Sequence, residues 1–147
     1  ARPAGVGCAT IGTPPAATLQ ARVLVVEDDG EVARATAGVL ATLGAHVAVA
    51  DSAEAALARV GRDAAGIDVV LSDIVMPGAM NGIALARALR ASHPKLAVLL
   101  MTGHTPDLDE ARRIGVAVLA KPFTPGVLAA ALRAAMDDCA AAAARQR

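Results

Sequence analysis

Val23-Leu24-Val25-Val26-Glu27-Asp28-Asp29 sets four aliphatic residues directly against three acids. The apolar run has strand length and no polar/apolar alternation, which suits a strand buried on both faces. The same plan recurs downstream. Ile67 to Leu71 runs into Ser72-Asp73, Leu96 to Met101 into Thr102, and Val116 to Leu119 into Ala120-Lys121. With 46–50 these give five strands, over 22–26, 46–50, 67–72, 96–101 and 116–120.

The stretches between them carry helical signals. In 30–43, Val32, Val39, Leu40 and Leu43 share one face, and Gly44 stops the helix. Ser52 caps a helix over 53–60. Asn81 opens one over 82–92, which ends before Pro94. A weaker helix spans 107–113, followed by Gly115. Over 125–136, Val127, Leu128, Ala131, Leu132, Ala135 and Met136 form a stripe. Five strand–helix units predict an α/β fold, a doubly wound parallel sheet covered by helices. They are too few for an eight-fold barrel.

Composition narrows the function classes. The 147 residues suffice for one domain with a real core, and 55% are apolar. Net charge is zero, without a basic block, so a nucleic-acid surface has no support. Phe123 is the only aromatic, which disfavours stacking on bases. Cys8 and Cys139 stand near opposite ends without metal-ligand spacing, so neither a zinc site nor a disulfide framework is expected. No apolar stretch reaches spanning length, and no signal-peptide pattern opens the chain. Residues 1–20 read as a linker or disordered lead-in, 21–137 as the folded domain, and 138–147 as an Ala-rich tail that extends the last helix or frays.

In such a sheet, ligands sit beyond the carboxyl ends of the strands. That edge gathers Glu27, Asp28 and Asp73, and close like charges need a counter-cation. Oxygen donors without His or Cys suit a hard cation, and magnesium is the fitting one. Lys121 can pair with Asp73 and then with a phosphoryl oxygen. Thr102 offers a hydroxyl to the same oxygens. Asp73 is the nucleophile candidate, since carboxylates form aspartyl-phosphates.

These segments resemble the receiver domain of bacterial two-component response regulators. The resemblance rests on Val-Leu-Val-Val-Glu-Asp-Asp, Leu-Ser-Asp-Ile-Val-Met-Pro followed by Asn-Gly, Leu-Met-Thr-Gly and Lys-Pro-Phe, and covers about 22–136. It implies a flavodoxin-like sheet of strand order 2-1-3-4-5. It implies that Asp73 is the phosphoacceptor and that Thr102 and Lys121 engage the phosphoryl group. Mg2+ would be held by Asp28, by Glu27 mainly through water, by Asp73 and by the main-chain carbonyl of Val75. The implied donor is a phosphohistidine on a histidine kinase or histidine phosphotransfer domain, in the cytoplasm. The chain alone is then no enzyme but a phosphoacceptor, while a parent protein can be a histidine kinase.

Three features depart from the common pattern. Val118 stands where the family usually has an aromatic or His, three residues before the lysine. The loop Met76–Gly82 is one residue longer than its commonest form, and this longer loop, with the style of Ile83-Ala84-Leu85-Ala86-Arg87, is most similar to the C-terminal receivers of hybrid sensor histidine kinases. Asp29 extends the acidic pair, either as a helix cap or as a member of the pair; strand register favours Glu27 and Asp28. The positions two past Asp73 and two past Thr102, which border the phosphoryl group, are Val75 and His104. His46 and His93 lie away from this edge and read as structural.

Rival functions fit less well. An Asp-nucleophile phosphatase of the haloacid-dehalogenase type needs a second Asp where Val75 stands. A flavodoxin-like cofactor binder needs a phosphate-cradling loop where Glu27-Asp28-Asp29 would repel phosphate. A pseudo-receiver acting only as an interaction module sits poorly with intact acids, Thr and Lys. No helix-turn-helix pattern appears, so direct DNA control is not expected. The linker-like start favours a receiver within a larger protein over a stand-alone one, and a homodimer is left open.

Overall fold

Alternate residues of one central strand serve two different cores, and this fixes the layering. The elements are β1 (Arg22–Val26), α1 (Gly30–Thr42), β2 (His46–Ala50), α2 (Ala53–Asp63), a 3-10 turn (Ala64–Gly66), β3 (Val69–Asp73), α3 (Gly82–Ser92), β4 (Ala97–Thr102), α4 (Thr105–Arg113), β5 (Ala117–Ala120) and α5 (Pro125–Arg145). Leu24 and Val26 of β1 join Val60 of α2, Leu89 of α3 and Ala111 of α4 in one cluster. Val23 and Val25 join Leu40 of α1 and Leu128 and Leu132 of α5 in the other. A strand flanked by helices on both faces has no polar side, which explains why its sequence carries no period of two.

This computed structural model describes residues 19–145. The lead-in expected over 1–20 lies outside them up to position 18, as does Cys8. Leu19, assigned to that lead-in, is buried, and its N–H donates to the Leu43 carbonyl at 2.6 Å. α5 runs through the alanines expected as a tail, to Arg145. Among the described residues no helix is long and apolar enough to cross a membrane.

The sheet is parallel throughout, in the order β2-β1-β3-β4-β5. β1, β3 and β4 are buried nearly end to end. Burial on both faces, expected for all five strands, fails for β2 and β5, because these are the sheet's edges and are only partly covered. Val32 and Val127, placed on the core-facing stripes of α1 and α5, are exposed. Their neighbours Ala33 and Leu128 take the inward positions. α4 starts at Thr105 rather than 107, since Pro106 fits a helical first turn, where its missing N–H costs nothing. Two of the sequence-derived caps form as expected. Ser52 accepts from Ala55 N–H, and Asn81 from Ala84 N–H.

At the amino end of the sheet, Arg22 Nε and Nη2 donate to the two Asp68 oxygens at 3.2 and 3.1 Å. The guanidinium holds the Asp68 carboxyl below its usual range. At the carboxyl end the tightest approach is α3 against β3. The Gly82 N–H donates to the Ile74 carbonyl at 2.9 Å. A Cβ there would stand 2.7 Å from Ile74 Cα and overlap the Asp73 carbonyl oxygen. Gly82→Ala is therefore expected to lower unfolding free energy by about 1–3 kcal/mol through overpacking. Gly38→Ala, in α1 with nothing within 4 Å of its Cβ, is expected to raise it by about 0.4–1 kcal/mol. Urea titrations of both variants check the pair.

Candidate functional site

Strand register brings the candidate residues to one edge. Asp73 ends β3 and pairs with Met101 of β4, one residue before Thr102. Thr102 pairs with Ala120 of β5, one residue before Lys121. The Lys121 N–H donates to the Thr102 carbonyl at 2.9 Å, which carries the ladder one step past β5. From there Lys121 Nζ reaches Asp73 Oδ2 at 3.0 Å. The Lys121–Pro122 peptide is cis.

The backbone after β3 holds the other Asp73 oxygen. Val75 N–H donates to Asp73 Oδ1 at 3.2 Å, while the Val75 side chain is 62% exposed. The buried Ser72 hydroxyl donates to the Asp73 carbonyl at 2.9 Å. The Asp73 carboxylate is thus fixed by one ammonium and one backbone N–H, and its side chain keeps 13% of its surface open. That suits a nucleophile, which must be held in place yet reachable.

The three acids after β1 divide their work. Asp29 is the N-cap of α1, and its Oδ1 accepts from Glu31 and Val32 N–H at 3.0 and 3.3 Å. Asp28 is exposed. Glu27 is buried, 4% exposed, and its Oε2 accepts only a long 3.4 Å bond from Asp29 N–H. Its Oε1 is buried with no hydrogen-bond partner among the described residues. Burial pushes the Glu27 carboxyl up to about 7, with the Asp73 charge and the Asp28 carboxyl adding to the rise.

A buried carboxylate oxygen without a partner, beside other carboxylates, suits the coordination of a cation. Among the described residues no three acidic, His or Cys side chains enclose a metal by themselves. Magnesium does not need that: it uses one or two carboxylates and keeps several waters. The donors present therefore fit a hard divalent ion in an open, partly hydrated setting.

Thr102 is buried, and its hydroxyl oxygen accepts from His104 N–H at 3.1 Å. Its proton is directed to Asp107 Oδ2 at 3.5 Å. Asp107 is absent from the sequence-derived site, as an acid in a helix's first turn normally reads as a complement to the helix dipole. The exposed His104 makes no side-chain cap for α4. His46 begins β2, and His93 caps α3 with Nδ1 2.8 Å from Ser92 Oγ. Neither histidine is near the acids.

Residues 23–133 match the family model of the response regulator receiver domain. The chain belongs to that family. It is 46% identical over 109 residues to the response regulator protein FleR of Pseudomonas aeruginosa, covering 71% of this chain and 22% of FleR. It is 36% identical over 147 residues to the virulence sensor protein BvgS of Bordetella bronchiseptica, covering 90% of this chain and 12% of BvgS. The receiver thus spans a small part of either relative. A crystal structure of a receiver domain protein from Clostridium thermocellum superposes with TM-score 0.74 at 30% identity, over 80% of this chain and 95% of that one.

The Glu27 carboxyl makes this receiver's stability depend on pH. Its folded value, about 7, lies above the unfolded 4.5, so the native state binds more protons between them. Stability then falls as pH rises from about 4.5 through 7. In cation-free buffer, Glu27→Gln is expected to remove that part of the decline. Added Mg2+ is expected to oppose the decline in the unmodified chain, because it favours the ionised carboxylate. Melting temperature against pH, with and without Mg2+, measures both.

Proposed function

We propose that this receiver takes a phosphoryl group from a phosphohistidine onto Asp73 and turns the added charge into a change of surface around residues 103–136. The observation that carries the reading is the Lys121–Asp73 ion pair at 3.0 Å, beside a buried Thr102 hydroxyl on the adjacent strand. A carboxylate so held presents one fixed oxygen to phosphorus. The oxygen–phosphorus bond forms as the phosphorus–nitrogen bond to the donor imidazole breaks. The imidazole leaves with the bond pair and takes a proton from solvent. Lys121 then turns from the carboxylate to a phosphoryl oxygen, and Thr102 donates its proton to another.

Glu27, Asp28, Asp73 and the Val75 main-chain carbonyl would hold Mg2+, which when bound supplies positive charge to the phosphoryl oxygens. The chain acts as a phosphoacceptor in the cytoplasm, partnered by a histidine kinase or histidine phosphotransfer domain, with no contact of its own to membrane or nucleic acid. We place it in a hybrid sensor kinase. The support is the alignment with the virulence sensor protein BvgS over 90% of this chain. A stand-alone receiver is the second reading, favoured by the 95% coverage of the Clostridium thermocellum chain.

Intact mass after incubation with acetyl phosphate and Mg2+ tests the acceptor. One phosphoryl adduct is expected, absent in Asp73→Asn and absent when EDTA replaces Mg2+. Lys121→Ala is expected to slow adduct formation on the order of 10²-fold, as loss of one fixed donor does elsewhere. An adduct that persists in Asp73→Asn would overturn the assignment.

A further inference from the structure

The Thr102 hydroxyl carries a single proton, and two acceptors have a claim on it. The oxygen side of the group is already used, since His104 N–H donates to it at 3.1 Å. That bond fixes the hydroxyl oxygen and leaves the proton to choose a direction. In the structure it points to Asp107 Oδ2, at 3.5 Å a long contact and one readily given up. Asp107 lies in the first turn of α4, where its N–H donates to the His104 carbonyl at 3.1 Å. Thr102, His104 and Asp107 therefore form one short hydrogen-bonded unit joining the end of β4 to the start of α4.

A phosphoryl group on Asp73 changes the balance at this unit. It brings about 1.5–2 negative charges and strong acceptor oxygens to the neighbouring strand end. A bond to a charged acceptor at good distance is stronger than a long one, so the proton moves. Asp107 then loses its partner, and the first turn of α4 is released from the end of β4.

The position where the family usually has an aromatic or His offers no alternative route. Val118 is half-buried and packed against the core shared by α2 and α3, and it has no polar atom to sense Thr102.

We propose that Asp107 is a positioning residue that holds the Thr102 proton away from Asp73 before phosphorylation, and whose release carries the signal into α4. The inference rests on Asp73 being the phosphoacceptor. Formation of the adduct itself is the acyl-phosphate exchange: the carboxylate oxygen of Asp73 bonds to phosphorus, and acetate leaves with the electron pair.

The test is the acetyl phosphate concentration that half-phosphorylates the chain at fixed Mg2+, read by intact mass. Asp107→Ala frees the proton and is expected to lower that concentration by about 2- to 3-fold, the low end for one hydrogen bond, because the contact is long. Asp107→Asn keeps an acceptor oxygen without the charge and is expected to stay near the unmodified value. In a Thr102→Val background, Asp107→Ala is expected to change nothing. Hydrogen exchange of the amides of 107–110 gives a second reading: phosphorylation is expected to speed it in the unmodified chain, and Asp107→Ala to speed it beforehand.

An equal gain in Asp107→Asn, or a gain that survives Thr102→Val, would make the effect one of bulk charge and overturn the proposal. No gain in Asp107→Ala, with the unmodified chain phosphorylated, overturns it while leaving Asp73 as acceptor. No adduct on the unmodified chain overturns both together.

Discussion

Parallel pairing of β3, β4 and β5 is the constraint from which the site follows. Asp73, Thr102 and Lys121 are far apart in the chain, yet each stands at or just past the carboxyl end of its strand. In-register ladders set those ends side by side. Lys121 Nζ can then reach Asp73 Oδ2 at 3.0 Å without any dedicated loop to aim it. A slip of one residue in β5 would turn Lys121 to the opposite face of the sheet. The apolar residues that hold the register therefore also hold the chemistry. Leu71, Leu99 and Met101, in the strands that carry Asp73 and Thr102, are at most 1% exposed.

The same edge opposes the stability that the core provides. Glu27 has a buried oxygen without a partner, and its carboxyl is pushed up to about 7 by burial and by its acidic neighbours. A core built for stability alone would place an apolar residue there. Lys121 offsets only part of the negative charge, since it is already committed to Asp73. An unpaired buried carboxyl at a strand end, with the rest of the sheet well packed, is a local cost to stability of the kind that marks functional positions.

Much of this was legible in the sequence, for identifiable reasons. Uninterrupted apolar runs ending in polar residues reveal central parallel strands, and the caps at Ser52 and Asn81 follow from side-chain chemistry that needs no tertiary information. What depended on the third dimension was less visible. Nothing local distinguishes the edge strand β2 from central β1, since both are short aliphatic runs. Leu19 looked like part of a linker because its partner, the Leu43 carbonyl, lies 24 positions on by residue number. Burial of Glu27 and exposure of Asp28 could not be separated by composition, only by which way the chain turns after Val26. The Asp107 contact was hidden because it depends on a hydroxyl in a neighbouring element.

The position of Val118 bears on how such a domain responds. A large side chain with a polar tip could swing between a buried and an exposed setting and so report on Thr102. A half-buried valine packed into the core is stiff at χ1 and has no such pair of states. Any consequence of a charge placed on Asp73 must leave by another connection from β4. The backbone offers one, since Thr102 is bonded through its hydroxyl to His104 N–H and through its carbonyl to Lys121 N–H. Movement of Thr102 thus pulls on the chain entering α4 and on the chain leaving β5 at once. The small, exposed Gly103 between Thr102 and His104 gives the first of these room to bend. In this chain, a charge placed on Asp73 would be passed on through the loop after β4 rather than by a swing of the side chain at Val118.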